Sequence, residues 1–306
     1  MNLGYDGRLF MLAFDHRGSY VKRFGIEGNP TPEEIERLND GKQSSGASRR
    51  RSTAAPTPRS PASWSTSSSG PRRGSPSRPR GEGSRSRCRW KRAGQDQFDF
   101  EYGDEFSDHI ERLDPDVSKV LVRYNPDGDA EMNRRQSQRL RRLSEWLHER
   151  DRKLLFERLV PAERAQLVAV NGDTDRYDAE LRPELMLRAI AELQDARVEP
   201  DIWKIEGVNE RADCERLAAQ CRAGGRDGVV CVVLGRGADT AKVDHWLRQG
   251  APVEGYVGFA IGRSIWGDPL KAFIGGDLSR VDAATQIGDN YLRFTEVYTG
   301  AEAAVG

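Results

Sequence analysis

Short runs of β-branched and aromatic residues alternate along this chain with longer stretches in which apolar residues recur three and four apart. Six of the short runs read as strands: Leu9–Asp15, Val117–Asn125, Lys153–Pro161, Asp201–Val208, Gly228–Arg236 and Gly255–Arg263. Amphipathic helical patterns fill the intervals, at Pro32–Asp40, Phe98–Leu113, Ala130–Arg150, Tyr177–Ala196, Glu210–Ala223, Asp239–Gln249, Pro269–Gly275 and Asp282–Val297. Asn209 and Asp239 stand where N-caps belong, and Gly224–Gly225 where a helix would stop. Strand and helix in alternation predict an α/β fold of βα units around a parallel sheet.

Residues 43–93 break the pattern. They hold 14 Ser, 13 Lys plus Arg, 6 Pro, one acid (Glu82), and no Leu, Ile, Val, Phe or Met. Such a stretch cannot bury a core. Of the chain's 48 basic and 48 acidic residues, 35 and 47 lie outside it. The neutral total therefore conceals a body near −12 carrying an insert near +12.

An Arg/Ser-rich disordered linker and a basic arm for nucleic acid are two readings of the insert. A shifted reading frame is the third. After a one-base slip, each original codon is the third base of one present codon plus the first two of the next, which leaves few residue choices per position. Under that constraint Pro61 through Gly70 can return Gly-Ile-Leu-Val-Asp-Glu-Gln-Phe-Gly. Arg85 through Gly94 can return Leu-Ala-Leu-Pro-Val-Glu-Lys-Ser-Gly. Both are apolar runs ending in charge, as barrel strands read. We therefore expect a frame slip near Lys42–Ser44 that is repaired near Ala93–Gly94, and no nucleic-acid partner.

Adding the two recovered runs makes eight strands, and eight βα units in 306 residues predict a single (β/α)8 TIM barrel over 1–306. In this chain strands two and three of that barrel are expected to be disrupted. Six strands alone also permit a doubly wound open sheet. The barrel is preferred, in part because no Gly-x-Gly-x-x-Gly turn follows the first strand.

The four cysteines, Cys88, Cys214, Cys221 and Cys231, have no paired metal spacing and read as reduced thiols. The start lacks a basic cluster followed by an apolar stretch, and no window is long and apolar enough to span a bilayer. A cytoplasmic protein with no membrane partner is expected. His16, His109, His148 and His245 form no i/i+4 pair, so metal catalysis is poorly supported and no cofactor is expected.

In a barrel the chemistry sits at the C-terminal ends of the strands, so charges inside apolar strands are the residues to question. Alternation puts Ile202, Lys204 and Glu206 on one face and Trp203 and Ile205 on the other. If Trp203 and Ile205 face the helices, Lys204 points inward, where lost hydration favours a neutral amine able to form a Schiff base. The alternative is an ion-paired or snorkelling lysine. Lys119 shares a face with Leu121 and Arg123, and Glu157 interrupts an apolar run. Glu157 reads as an acid/base or as half of a structural Lys–Glu pair. Asp15 orients a substrate hydroxyl or caps a turn. Gly235-Arg236-Gly237 and Gly262-Arg263-Ser264 end the last two strands, where barrels of this kind recurrently bind phosphate.

Together AFDHRGS (13–19), VSKVLVRYN (117–125), LLFERLVP (154–161), DIWKIEG (201–207) and GFAIGRSIW (258–266) resemble, in content and order, the class I tagatose 1,6-bisphosphate aldolase family. QDQFDFEYG (95–103) is similar to the branch also found fused behind a kinase in inositol catabolism. The resemblance runs from about Leu9 to Trp266, and the recovered runs look like the family's second and third strands. It implies a metal-independent aldolase with Lys204 as the Schiff-base lysine, Glu157 as acid/base, Lys119 as a neighbouring active-site lysine and Asp15 as a substrate-binding acid. Arg263 matches the phosphate-binding arginine. Gly262, Arg236, Gly235, Arg17, Arg123 and Glu206 complete the expected substrate- and phosphate-binding set.

The implied substrate is a small phosphorylated keto-sugar or keto-acid, preferably 5-dehydro-2-deoxygluconate 6-phosphate, cleaved to dihydroxyacetone phosphate and malonate semialdehyde. Tagatose 1,6-bisphosphate is the runner-up, and a non-catalytic sugar-phosphate-binding barrel is the reading from another class. A homo-oligomer is compatible with each. With two staves replaced by Ser/Arg/Pro text, the chain as it stands is expected to fold poorly or to be inactive. Sequencing the DNA across codons 40 to 96 should reveal third bases that restore the two runs; incompatible codons would end the frame explanation.

Overall fold

The computed structural model describes residues 3–14, 64–65 and 97–303. Six parallel strands carry the fold: β1 Leu9–Phe14, β3 Val117–Arg123, β4 Lys153–Leu159, β5 Ile202–Glu206, β6 Val230–Leu234 and β7 Tyr256–Ile261. A two-residue strand, β2 Trp64–Ser65, pairs in parallel with Ala13 and Phe14 of β1. All six expected strands are present within a residue or three of their sequence bounds. The expected helix at 32–40, residues 15–17, and the insert apart from 64–65 lie outside the described residues.

The hydrogen-bonded order is β2-β1-β7-β6-β5-β4-β3. Successive strands from β3 to β7 are neighbours, and the last pairs with the first. A doubly wound sheet instead reverses its order around a central first strand. The result is an α/β fold whose six longer strands curl into a half-barrel, compatible with a partial TIM barrel. Among the described residues no pairing joins β2 to β3.

Period-2 alternation separates two cores. Leu9, Met11, Leu155, Ile202, Val230, Val232 and Ala260 form an apolar cluster inside the curl. Phe156, Trp203, Ile205, Cys231, Val233 and Phe259 pack outward among the helices. The helices are α1 Phe106–Leu113, α2 Ala130–His148, α3 Arg164–Ala169, α4 Arg182–Asp195, α5 Arg211–Arg222, α6 Thr240–Gly250, α7 Arg263–Gly275 and α8 Arg280–Ala303.

Asp239 caps α6 as expected, accepting from the Lys242 N–H at 2.8 Å. Asn209 does not cap α5. Glu210 holds the N-cap position, and Asn209 Oδ1 instead accepts from the buried Trp246 indole at 3.1 Å, a donor that would otherwise be stranded. The helix expected from Phe98 begins only at Phe106. Phe98 and Phe100, two apart and both buried, belong to an extended segment whose rings meet at 5.4 Å. Helix α7 starts six residues before Pro269 rather than at it. Proline has no N–H to offer Ile265, and Asn290 Nδ2 donates to that carbonyl at 2.9 Å.

At the N-terminal end of the sheet, Asp201 is fully buried and gathers four donors. Gly4 N–H reaches it at 2.9 Å, Leu154 N–H at 2.8 Å, and the His148 and Lys153 side chains at 3.0 Å each. Burial alone would raise its carboxyl, but these partners outweigh that and hold it below its ordinary 3.8. Asp201→Asn should cost about 3 kcal/mol in urea unfolding, the scale of a broken buried charge pair. A depressed folded pKa adds stability that is present above the ordinary value and lost as pH falls through the folded one. The gap between native and variant should therefore persist at neutral pH and close only below 3.8.

Candidate active site

The inward-facing polar residues meet at the C-terminal half of the strands. Register places Glu157 of β4 directly beside Lys204 of β5, and Lys204 Nζ lies 3.3 Å from Glu157 Oε2. Lys119 of β3 pairs with the same oxygen. The side chains of Lys204 and Glu157 are each 4% exposed. A carboxylate this buried is costly unless paired, and here one anion lies between two ammonium groups. Trp203 and Ile205 pack outward with the helices, which is what turns Lys204 into the curl.

Lys204 and Glu157 line a cavity that opens toward the loops after β6 and β7, where Arg236, Gly237, Arg263 and Ser264 form its far wall. Gly235 and Gly262 also border it. Arg236 and Gly237 adopt left-handed backbone at φ +53° and +76°. A Cβ on Gly237 would stand 2.3 Å from the Arg263 guanidinium, so any larger residue would strain the turn and push Arg263 aside. Arg263 Nη2 donates to the Arg236 carbonyl at 3.0 Å, and Ser264 Oγ to the Ala238 carbonyl at 2.8 Å. Ser264 lies in the first turn of α7, where N–H groups lack i−4 partners and favour an anion. Even apart from Arg236, Lys204 and Arg263 outnumber Glu157 in the cavity lining, and that net positive charge suits an anionic ligand.

The structure brings together Lys204, Glu157, Lys119, Arg236, Gly235, Gly262 and Arg263. Arg123 ends β3 on the Lys119 face and is half-buried, outside the residues that line the cavity. Asp15 and Arg17 lie outside the described residues. Glu206 is buried at the end of β5, where it accepts from Val160 N–H at 2.9 Å and pairs with Arg236 Nε at 3.2 Å.

Sequence reasoning missed Asp178 and Arg182. As an i,i+4 acid–base pair in a helical pattern they look like a solvated surface pair. Both are buried, and Arg182 is 1% exposed. Among the described residues no group of three or more His, Cys, Asp or Glu is placed to hold a metal ion, and no helix is long and apolar enough to cross a membrane.

Glu157→Gln would leave two ammonium groups facing each other without the anion. It should lower unfolding stability by about 3 kcal/mol, and adding Lys119→Met should restore part of the loss. Urea titrations that give strictly additive effects would argue against the shared ion pair.

Several solved structures share the architecture. A fructose-bisphosphate aldolase from Plasmodium falciparum, crystallised with TRAP and a small-molecule inhibitor, superposes with a TM-score of 0.51 at 10% identity, covering 71% of this chain and 68% of that one. Cgl0159 from Corynebacterium glutamicum (Brevibacterium flavum) gives 0.51 at 16% identity over 94% and 87% of the two chains. At such identities the likeness concerns the fold. No curated protein matches the sequence. Residues 93–302 match the family described as "uncharacterized protein conserved in bacteria (DUF2090)", a match that begins where the composition returns to ordinary, and the chain belongs to that family.

Proposed function

We propose that this chain is built as a class I aldolase acting on a phosphorylated keto-sugar or keto-acid. The observation that carries this reading is Lys204, buried and ion-paired with Glu157 in a cavity whose far wall presents Arg263, Ser264 and a glycine turn. The Lys204 ammonium first passes a proton to the Glu157 carboxylate beside it, and the resulting neutral amine attacks the substrate ketone. Glu157 supplies the proton that lets the carbinolamine oxygen leave as water, which gives the iminium. Loss of the proton from the hydroxyl two carbons away breaks the intervening C–C bond. Its electrons pass to the iminium, giving an enamine and releasing an aldehyde. Protonation at carbon and hydrolysis then free the ketone product and regenerate the amine.

For 5-dehydro-2-deoxygluconate 6-phosphate the aldehyde is malonate semialdehyde and the ketone dihydroxyacetone phosphate. Net positive charge in the cavity supports a substrate with anionic groups. Lys119 lies behind the cavity lining and holds Glu157. Asp15 and Arg17 follow β1 directly and are proposed to complete substrate binding from that side, with Arg123 at the opposite rim.

The intact fold is proposed to be an eight-stranded barrel. Two observations support this. Trp64–Ser65 pairs with β1 inside a segment too polar for a strand, in the place a second stave would take, and the family match starts at residue 93, where the expected frame repair lies. A cytoplasmic setting is proposed from the free buried thiols of Cys214, Cys221 and Cys231.

Sodium borohydride added with dihydroxyacetone phosphate should reduce the imine and leave a substrate-dependent mass adduct on Lys204, absent from Lys204→Met. The frame-restored chain should show it more strongly than the chain as it stands. A frame-restored chain with no adduct would favour a non-catalytic sugar-phosphate-binding barrel.

A further inference from the structure

Beside the cavity, four charges from three separate chain segments close into a quartet, with Asp178, Arg182 and Glu206 buried and Arg236 partly exposed. Asp178 sits on a one-turn π segment, Tyr177–Leu181, that leads into α4. Such turns are rare and frequently mark functional positions. Arg182 Nε donates to Asp178 Oδ1 at 2.9 Å, and Arg236 Nη1 donates to Asp178 Oδ2 at 2.5 Å. Arg236 Nε also pairs with Glu206 Oε1 at 3.2 Å, while Arg182 Nη1 lies 3.9 Å from Glu206 Oε2. Two cations and two anions balance, so the quartet itself offers no net charge to a ligand. Its second function is mechanical: Arg182 Nη2 donates to the Gly207 carbonyl at 3.0 Å, and Glu206 holds Val160 N–H. The loops after β4, β5 and β6 are thereby tied to one cluster.

Arg236 is the member that faces the cavity, and its guanidinium is held back by Asp178 and Glu206. Its carbonyl, in the left-handed turn with Gly237, accepts from Arg263 Nη2. A physical chain therefore runs from Asp178 through the Arg236 side chain and backbone to Arg263. Burial would raise the Asp178 carboxyl, but the Arg236 hydrogen bond and the Arg182 and Arg236 charges outweigh that and hold it below its ordinary 3.8. The anchor stays ionised across the neutral range.

We propose that Asp178 is a positioning residue for the anion-binding end of the cavity, fixing through Arg236 the turn 235–237 that seats Arg263. The proposal deepens the aldolase reading, resting on its assignment of Arg263 to the substrate phosphate. Asp178 and Arg236 would act through Arg263 and the turn rather than by touching the reacting atoms. Removal of the anchor is then expected to weaken phosphate recognition while leaving the Lys204 chemistry able to proceed.

Inorganic phosphate is the direct probe, titrated by calorimetry into the full chain, Asp178→Asn, Arg236→Gln, the double variant and Asp178→Glu. The native chain should bind, each removal should weaken affinity at least about tenfold, the double variant should be no weaker than Arg236→Gln alone, and Asp178→Glu should recover part of the loss. Tenfold corresponds to about 1.4 kcal/mol. In borohydride trapping with dihydroxyacetone phosphate, half-saturation should rise while the rate at saturation holds. Unchanged phosphate affinity in a folded Asp178→Asn chain overturns the proposal, as does a native chain that binds no phosphate. If Asp178→Asn does not fold, Arg236→Gln, at a side chain 33% exposed, decides by the same criterion. Failure of the Schiff-base reading would look different: phosphate binding and its loss in the variants, with no adduct on Lys204.

Discussion

One carboxylate, Glu157, is buried against two ammonium groups, and the geometry of the site depends on that arrangement. Parallel pairing of β4 with β5 brings Glu157 and Lys204 to the same level, and Lys119 reaches the same oxygen from β3. An isolated charge in this position would cost several kcal/mol, a cost that the pairing offsets. Two cations on one anion also leave an unbalanced positive charge. A purely structural pair would have no need of that excess, whereas an anionic ligand would complete it.

Polar residues are segregated to opposite ends of the sheet with different consequences. At the N-terminal end Asp201 is saturated by four donors from residues 4, 148, 153 and 154, which leaves it nothing to offer a ligand. At the C-terminal end the quartet of Asp178, Arg182, Arg236 and Glu206 is neutral and cross-links loops. Between it and the Lys–Glu cluster lies the cavity, with its surplus of positive charge. The saturated carboxylate and the charged cavity thus lie at opposite ends of the strands, the arrangement a catalytic barrel would show.

The insert bears on closure of the curl. A barrel has no free edges, whereas an open parallel sheet exposes unpaired backbone groups at both. Beyond β1 the described pairing consists only of Trp64–Ser65, and among the described residues no pairing joins β2 to β3. If residues 43–93 are displaced text, the positive charge that made them resemble a nucleic-acid arm carries no functional meaning.

Period-2 and period-3.6 patterns by themselves determined the six strands, most of the helices between them, and that Lys204 lies on the face opposite Trp203 and Ile205, because side-chain alternation follows directly from backbone period; packing of those two residues against the helices decided which face is inward. Local patterns did not show that Asn209 is drawn to an indole, or that Phe98 and Phe100 are core residues of an extended segment, since each choice was made by a distant partner. Asp178 and Arg182 read as an ordinary helical surface pair, and only burial beneath the loops after β5 and β6 made them an anchor. Whether three charges in apolar strands repel, pair or remain apart depends on strand register. That register is set by packing over the whole sheet, so the tertiary structure alone decided that Lys119, Glu157 and Lys204 meet.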